Sequence, residues 1–372
     1  MKTRYKVVAG VAVLATVAGS AVANSVLTKP EYIKAMTSAA SIKALAYAGD
    51  QITGLTIEGI PDGMGAYRNE DGTITLLSVH EVPSYGAIGT LAKAADAGKP
   101  VQGVSITKLT LNKDGNRVNR ASDFIKSWSF YNYNTKKYQS TATGAAPTTQ
   151  TLGMDNFISR FCSATLVQAG ALSFKDGSTT YGYNGPVFLS GEEDGDSGYG
   201  RAFAFDMDGN GINLPRMGLA SWENLMPNLK PGKNTVVMGN EDGSATDSQL
   251  FMYVGTKTTE GTFADKAGLT NGDVHVMTIA DVANDNAFRA KYGKNKAVDV
   301  TFTKTIWDAD MKTQQVDHAA KGTEMSRVED GEWDPSNPNV FYFVTTESNK
   351  DPGATKPNPA TPSVSRDGGG LW

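Results

Sequence analysis

Short apolar runs alternate with polar turns along most of this chain. Residues 54–60 alternate, and Pro61-Asp62-Gly63 then reads as a turn. Residues 64–68 and 73–79 form the next two runs, separated by Asn69-Glu70-Asp71-Gly72. Residues 102–111 follow, closed by Asn112-Lys113-Asp114-Gly115. Residues 185–190 are continuously apolar, and residues 201–206 run into Asp208-Gly209-Asn210-Gly211. Residues 234–239, 249–255, 273–279 and 340–346 continue the series. Runs of this length, separated by Asp-Gly or Asn-Gly turns, predict an all-β fold. Spread over so long a chain, they suit a β-propeller better than a two-sheet sandwich. Candidate blades share too little sequence to be counted.

Helical spacing is scarce. Its best instance is 32–47, with Ile33, Met36, Ala40, Ile42, Leu45 and Ala46 near one face, and residues 24–50 read as one helix or a linker. Three longer stretches read as loops. Residues 132–151 are polar, 256–272 are charged with a short helical look at 263–267, and 348–366 are proline-rich. Gly368-Gly369-Gly370-Leu371-Trp372 reads as the start of a strand, which suggests a last blade left incomplete.

The first residues lie outside this pattern. Lys2, Arg4 and Lys6 precede an uncharged apolar run over 7–22, and Ala21-Val22-Ala23 offers the small-x-small site of a signal peptidase. Residues 1–23 therefore read as a cleaved secretory leader, which places the mature chain in the periplasm or outside the cell. No Arg-Arg pair precedes the run, so export in the unfolded state is expected. Loss of the three positive charges takes the net charge from −4 to −7 and leaves 349 of the 372 residues, with 51–372 as one domain. A mildly acidic chain with no basic stripe argues against nucleic-acid binding. No later segment is apolar enough to span a membrane. Forty glycines and fifteen prolines agree with frequent turns. The one cysteine, Cys162, has no internal disulfide partner; it is an apolar filler, an intermolecular link or a ligand.

Five stretches gather metal-capable groups where strands should end: Ser78-Val79-His80-Glu81, Arg160-Phe161-Cys162-Ser163, Ser190-Gly191-Glu192-Glu193, then Trp222-Glu223-Asn224 with Gly239-Asn240-Glu241-Asp242-Gly243, and Arg327-Val328-Glu329-Asp330-Gly331. Carboxylates sharing one space repel unless cations occupy it. Oxygen ligands suit calcium, and a thiolate beside them suits a transition metal. Arginine offers the fork that a phosphate needs. Single acidic loop residues are usually only solvated, and His80-Glu81 alone is a weak signal. His275 and His318 lack supporting spacing and read as surface or packing residues. Asp206-Met207-Asp208-Gly209-Asn210-Gly211 begins like a calcium loop, but its twelfth position is Met217, so a hairpin turn is the better reading.

Taken in order, these stretches and Ile60-Pro61-Asp62-Gly63-Met64-Gly65-Ala66 resemble the PhoX-type alkaline phosphatases, over roughly residues 59–346. The resemblance implies a β-propeller, six-bladed in that family, with calcium and iron (Fe3+) in a central site. It implies Cys162 as an iron ligand and Glu193, with Glu192, as a calcium or bridging ligand. Glu223, Asp242 and Glu329 match further metal ligands, and Arg327 matches the arginine that meets phosphate. The function so implied is an exported, monomeric phosphatase acting on small phosphate monoesters. The alternatives are a non-catalytic calcium-binding propeller that binds a surface partner or polymer, and a calcium-dependent esterase or lactonase.

Overall fold

Apolar runs that alternate, or are apolar on every residue, must bury one face or both, and in this protein they do so as stacked sheets. In the computed structural model, residues 33–81, 104–133, 135–141, 160–193, 200–243, 248–293, 295–346 and 369–372 are described. The predicted leader and the proline-rich 348–366 lie outside them. The chain divides into two compact units, Met1–Ala44 and Leu45–Trp372. In the first, the described residues 33–44 are irregular apart from a bend and turn at 36–39, and no helix forms anywhere between 33 and 50. The apolar side chains Ile33 and Met36 are exposed, at 67 % and 97 %, so the expected stripe is not buried and does not support an amphipathic helix.

The second unit opens with a hairpin, β1 (Gln51–Ile52) and β2 (Leu55–Thr56). Four larger sheets follow. The first is β3 (Pro61–Arg68), β4 (Ile74–His80), β5 (Ser105–Leu111) and β6 (Val118–Asp123), each antiparallel to the next. The second uses β7 (Ser127–Asn132), β8 (Lys137–Thr141), β9 (Phe161–Val167), β12 (Val187–Glu192), β13 (Ala202–Phe205) and β14 (Asn210–Asn213), in the order β8-β7-β14-β13-β12-β9. A side hairpin, β10 (Ser173–Asp176) and β11 (Thr179–Gly182), interrupts it in sequence. The third is β15 (Trp222–Pro227), β16 (Asn234–Glu241), β17 (Leu250–Thr256), β18 (Asp273–Thr278) and β19 (Thr301–Lys304), paired in that order. The fourth is β20 (Val328–Trp333), β21 (Phe341–Thr345) and β22 (Gly370–Leu371). The innermost strands β3, β9, β15 and β20 lie side by side in that order, as propeller blades do. Four such sheets form among the described residues, and the all-β propeller reading stands at that level.

Cores fill the spaces between blades. Phe188 of β12 faces a cluster with Leu77, Val79, Trp128 and Phe203, between the first and second blades. Its neighbours Val187 and Leu189 face the opposite way, into a cluster with Leu225, Val237, Phe251 and Val276 of the third blade. With both faces buried, Val187, Phe188 and Leu189 are apolar in succession, which is why 185–190 shows no alternation.

Three local expectations change. Pro61-Asp62-Gly63 belongs to β3, not to a turn, because a bulge absorbs the irregular residues. Part of the 132–151 loop forms β8, recruited to the edge of the second blade by β7 and by an edge-on Tyr131–Tyr138 contact, centroids 5.4 Å apart. Helices form at α1 (Phe263–Lys266), α2 (Asp285–Tyr292) and α3 (Met311–Lys321). Only α1 was foreseen. The buried residues of α3 are Gln314 and His318, so it has no apolar stripe to read.

The blade spacing rests on small residues. A Cβ on Gly65 of β3 would lie 2.2 Å from Cβ of Leu166 on β9. Gly65→Ala should therefore force the first two blades apart and destabilise the protein by about 1–3 kcal/mol, read as a lower urea midpoint; an unchanged midpoint would show that the gap is adjustable.

Candidate metal centre

The inner end of each of the four described blades repeats one local event. The register between inner strand and partner shifts between Pro61 and Met64, between Ser190 and Glu192, between Trp222 and Asn224, and between Val328 and Gly331. In each case the extra residue is on the inner strand. A bulge of this kind bends the strand and re-aims a side chain. Just past each partner strand, a backbone N–H donates to the carbonyl that precedes the inner strand. The pairs are Glu81 to Ile60 at 2.9 Å, Glu193 to Arg160 at 3.0 Å, Asp242 to Ser221 at 2.9 Å and Thr346 to Arg327 at 3.0 Å. Counting from these bonds, Asp62, Cys162, Glu223 and Glu329 hold one equivalent place in the four blades. Glu81, Glu193, Asp242 and Thr346 hold the other.

Because the inner strands are neighbours, their bulged residues converge. Ligand atoms of Asp62, Glu81 and Cys162 lie within 4.8 Å of one another, as do those of Cys162, Glu193 and Glu223, and those of Glu223, Asp242 and Glu329. Shared members join the three groups into one chain of donors. Arg160 closes one end, reaching Glu81 at 3.0 Å and also pairing with Glu193. Arg327 closes the other, with bonds of 2.8 and 2.5 Å to Asp242 and an approach of 3.0 Å to Glu329. Arg327 has φ of +60°, a left-handed backbone that is costly for a side-chain-bearing residue and that persists where surroundings enforce it.

Six carboxylates face two guanidiniums, and the surplus shows in the titration. Burial, then the Glu193 and Glu329 carboxylates, push Glu223 up to about 8. Burial pushes Glu193 up to about 7, against the opposing pull of Arg160. Asp62 is raised by burial and by Glu81, and Glu329 by burial and by Asp242. Burial first, then Glu223, push the Cys162 thiol up, and it donates to Glu81 Oε1 at 2.9 Å. Glu223 Oε2 is buried with no hydrogen-bond partner. An orphaned acceptor in an anionic pocket is what a cation would satisfy, and mixed oxygen and sulfur donors accept either a hard or a borderline metal. These residues fit a metal group, and a bound cation would reverse the shifts and release the thiol proton.

Of the residues expected from sequence, the structure brings together Cys162, Glu193, Glu223, Asp242, Glu329 and Arg327. Glu192 is elsewhere. Its side chain points to the opposite face of β12, where it is fully buried and holds Arg201 through Nε at 2.8 Å and Nη2 at 2.9 Å. Three members were not singled out as site residues: Asp62, Glu81 and Arg160. A matching offset could have found the first two, since 81 − 62 and 242 − 223 both equal 19. His318 packs edge-on against Phe251, and the Asp206 segment is the β13–β14 hairpin turn, both as read from sequence.

No family model matches the sequence, and no curated protein matches it significantly. Among solved structures, the chain is similar to Pseudomonas fluorescens PhoX in complex with vanadate, a transition state analogue. The TM-score is 0.52, with 11 % identity. The chain is PhoX-like in fold. The match covers 84 % of this chain and spans 63 % of that PhoX chain. At this identity the likeness to PhoX is one of architecture, and it agrees with the resemblance carried by the ordered motifs. Among the described residues, no helix is long and apolar enough to cross a membrane.

Two outcomes follow. With folded values raised from 4.5, Glu193 and Glu223 contribute stability that is complete below about pH 4.5 and is lost as pH rises through about 7 and about 8. His318, lowered from 6.5 to about 4 by burial, works in the opposite direction but is spent by about pH 6.5. Chelator-treated protein should therefore melt at a lower temperature at pH 8.5 than at pH 6.5, and saturating divalent cation should abolish the difference; a flat profile would contradict this electrostatic picture. Glu192→Gln should cost about 3–5 kcal/mol in urea unfolding by stranding Arg201, while metal content per folded chain stays unchanged.

Proposed function

We propose that this protein is an exported, metal-dependent phosphatase acting on phosphate monoesters. The observation that carries the reading is the convergence of Cys162 and six carboxylates at the inner ends of four blades, with an arginine at each end of the cluster. Support also comes from a fold shared with a PhoX structure that holds vanadate, a transition state analogue. Asp62, Glu81, Cys162, Glu193, Glu223, Asp242 and Glu329 would hold calcium and iron, with Cys162 and its neighbours on the iron side. Such a group supplies Lewis acidity that neutralises phosphoryl oxygens and makes an attacking water more acidic.

The protein's own part is positioning and charge. The Arg327 side chain is 34 % exposed above Asp242, whose side chain is 4 % exposed, so a ligand can reach it, as it can Arg160 at 36 %. Its planar fork orients a phosphoryl group and stabilises the charge that builds on it. Asp242 and Glu329 hold that fork from below, and the backbone bond from Thr346 fixes its root. Arg160 pairs with Glu81 and Glu193 in the same way, and its Nε also donates to the Glu193 backbone carbonyl. The leader read over residues 1–23 would deliver the chain to a compartment where extracellular phosphate esters are met.

The test is hydrolysis of p-nitrophenyl phosphate by protein supplied with calcium and iron, beside elemental analysis. Cys162→Ser should lose iron and activity together. Arg327→Gln should retain metal and lose kcat/KM by about 10²–10³-fold, the scale of one transition-state charge contact. Metal-loaded protein without turnover would overturn the phosphatase reading and favour a non-catalytic, calcium-stabilised propeller.

A further inference from the structure

The third and fourth blades diverge outward from the metal centre, and with α2 they enclose a cleft of about 760 Å³. Its floor is Met238, Met252 and Met277 from the third blade, facing Phe341 and Phe343 from the fourth. Trp333 and Trp372 also line it. The size falls within the range of small-molecule sites, and the lining is of the apolar kind such sites use. Methionine side chains are unbranched and adaptable, which suits a flexible aliphatic chain better than a rigid ring system.

The charges in the lining point one way. Arg289 and Lys296 line the cleft, and among the described residues no aspartate or glutamate does, although the protein as a whole is acidic. Arg289 lies 5.6 Å from the centre of the Trp372 ring, and Asp285 on the same helix offsets part of its charge. Lys296 enters no ion pair among the described residues. An apolar cleft with two cationic and no acidic side chains among its described lining residues complements a molecule with an aliphatic body and one anionic head.

We propose that this cleft binds the anion of a long-chain fatty acid, with its chain among Met238, Met252 and Met277 and its carboxylate against Lys296 and Arg289. The site is independent of the phosphatase reading. Glu329 of the metal centre and Trp333 of the cleft sit at opposite ends of β20, roughly 13 Å apart along the strand.

The experiment is fluorescence titration of the full chain with dansyl-undecanoate, followed by displacement. Saturable binding of one probe per chain is expected, displaced by palmitate and at least tenfold less well by palmityl alcohol. Lys296 is exposed, so Lys296→Glu should leave the circular dichroism spectrum and melting temperature intact while weakening palmitate at least tenfold. Val300→Trp, a bulky change at an exposed residue of the lining, should reduce binding of acid and alcohol alike. Absence of saturable binding, equal displacement by palmitate and its alcohol, or an unaltered affinity in Lys296→Glu would each overturn the proposal.

Discussion

A single backbone hydrogen bond, repeated at the inner end of every blade, sets up the rest of the structure. It ties the residue after the second strand to the residue before the first, and so pins an extra residue between them. The pinned residue cannot join the ladder. Its side chain leaves the sheet and turns toward the neighbouring blade. Four such residues on four adjacent strands meet without any loop having to reach them, which is why the cluster sits on rigid elements. Precision of this kind is what a multi-donor centre requires.

The second constraint is charge. Bringing six carboxylates together costs solvation and repulsion, and two arginines offset only part of that cost. The rest appears as raised pKa values, an orphaned Glu223 oxygen and a thiol kept protonated. The same cluster contains both the difficulty and its remedy, because a cation removes all three at once. The buried Glu192–Arg201 pair, one residue away from Glu193, is the contrasting case. There a carboxylate has met its own permanent counter-charge and asks for nothing further.

How much of this was legible in the sequence depends on the kind of signal. Strands buried on both faces, such as β12 and β16, stood out because their apolar runs are continuous. Hairpin turns stood out through Asp-Gly and Asn-Gly. The site residues were legible as motifs at strand ends, and Cys162 was legible by being alone. The two adjacent glutamates at 192 and 193 were not separable, because period-two alternation places them on opposite faces and only tertiary contacts show which face is inward. Asp62 hid inside a stretch that reads as a turn, since a bulge has turn-like residues. Arg160 stood in the cysteine's stretch, but its partners Glu81 and Glu193 come from two other strands and only the fold brings them to it. Helix α3 stayed hidden because what it buries is polar.

The equivalent position in the four inner strands is filled by Asp62, Cys162, Glu223 and Glu329, which are three different residue types on one backbone geometry. The hydrogen bond that shapes the position uses main-chain atoms and is indifferent to the side chain it presents. The backbone geometry of the position is thereby kept whichever donor it presents. A lineage built on this scaffold can exchange an oxygen donor for a sulfur donor, or the reverse, by a single codon change and keep a foldable protein. Were a metal held there, its preference could shift with the donor while the backbone architecture is inherited intact.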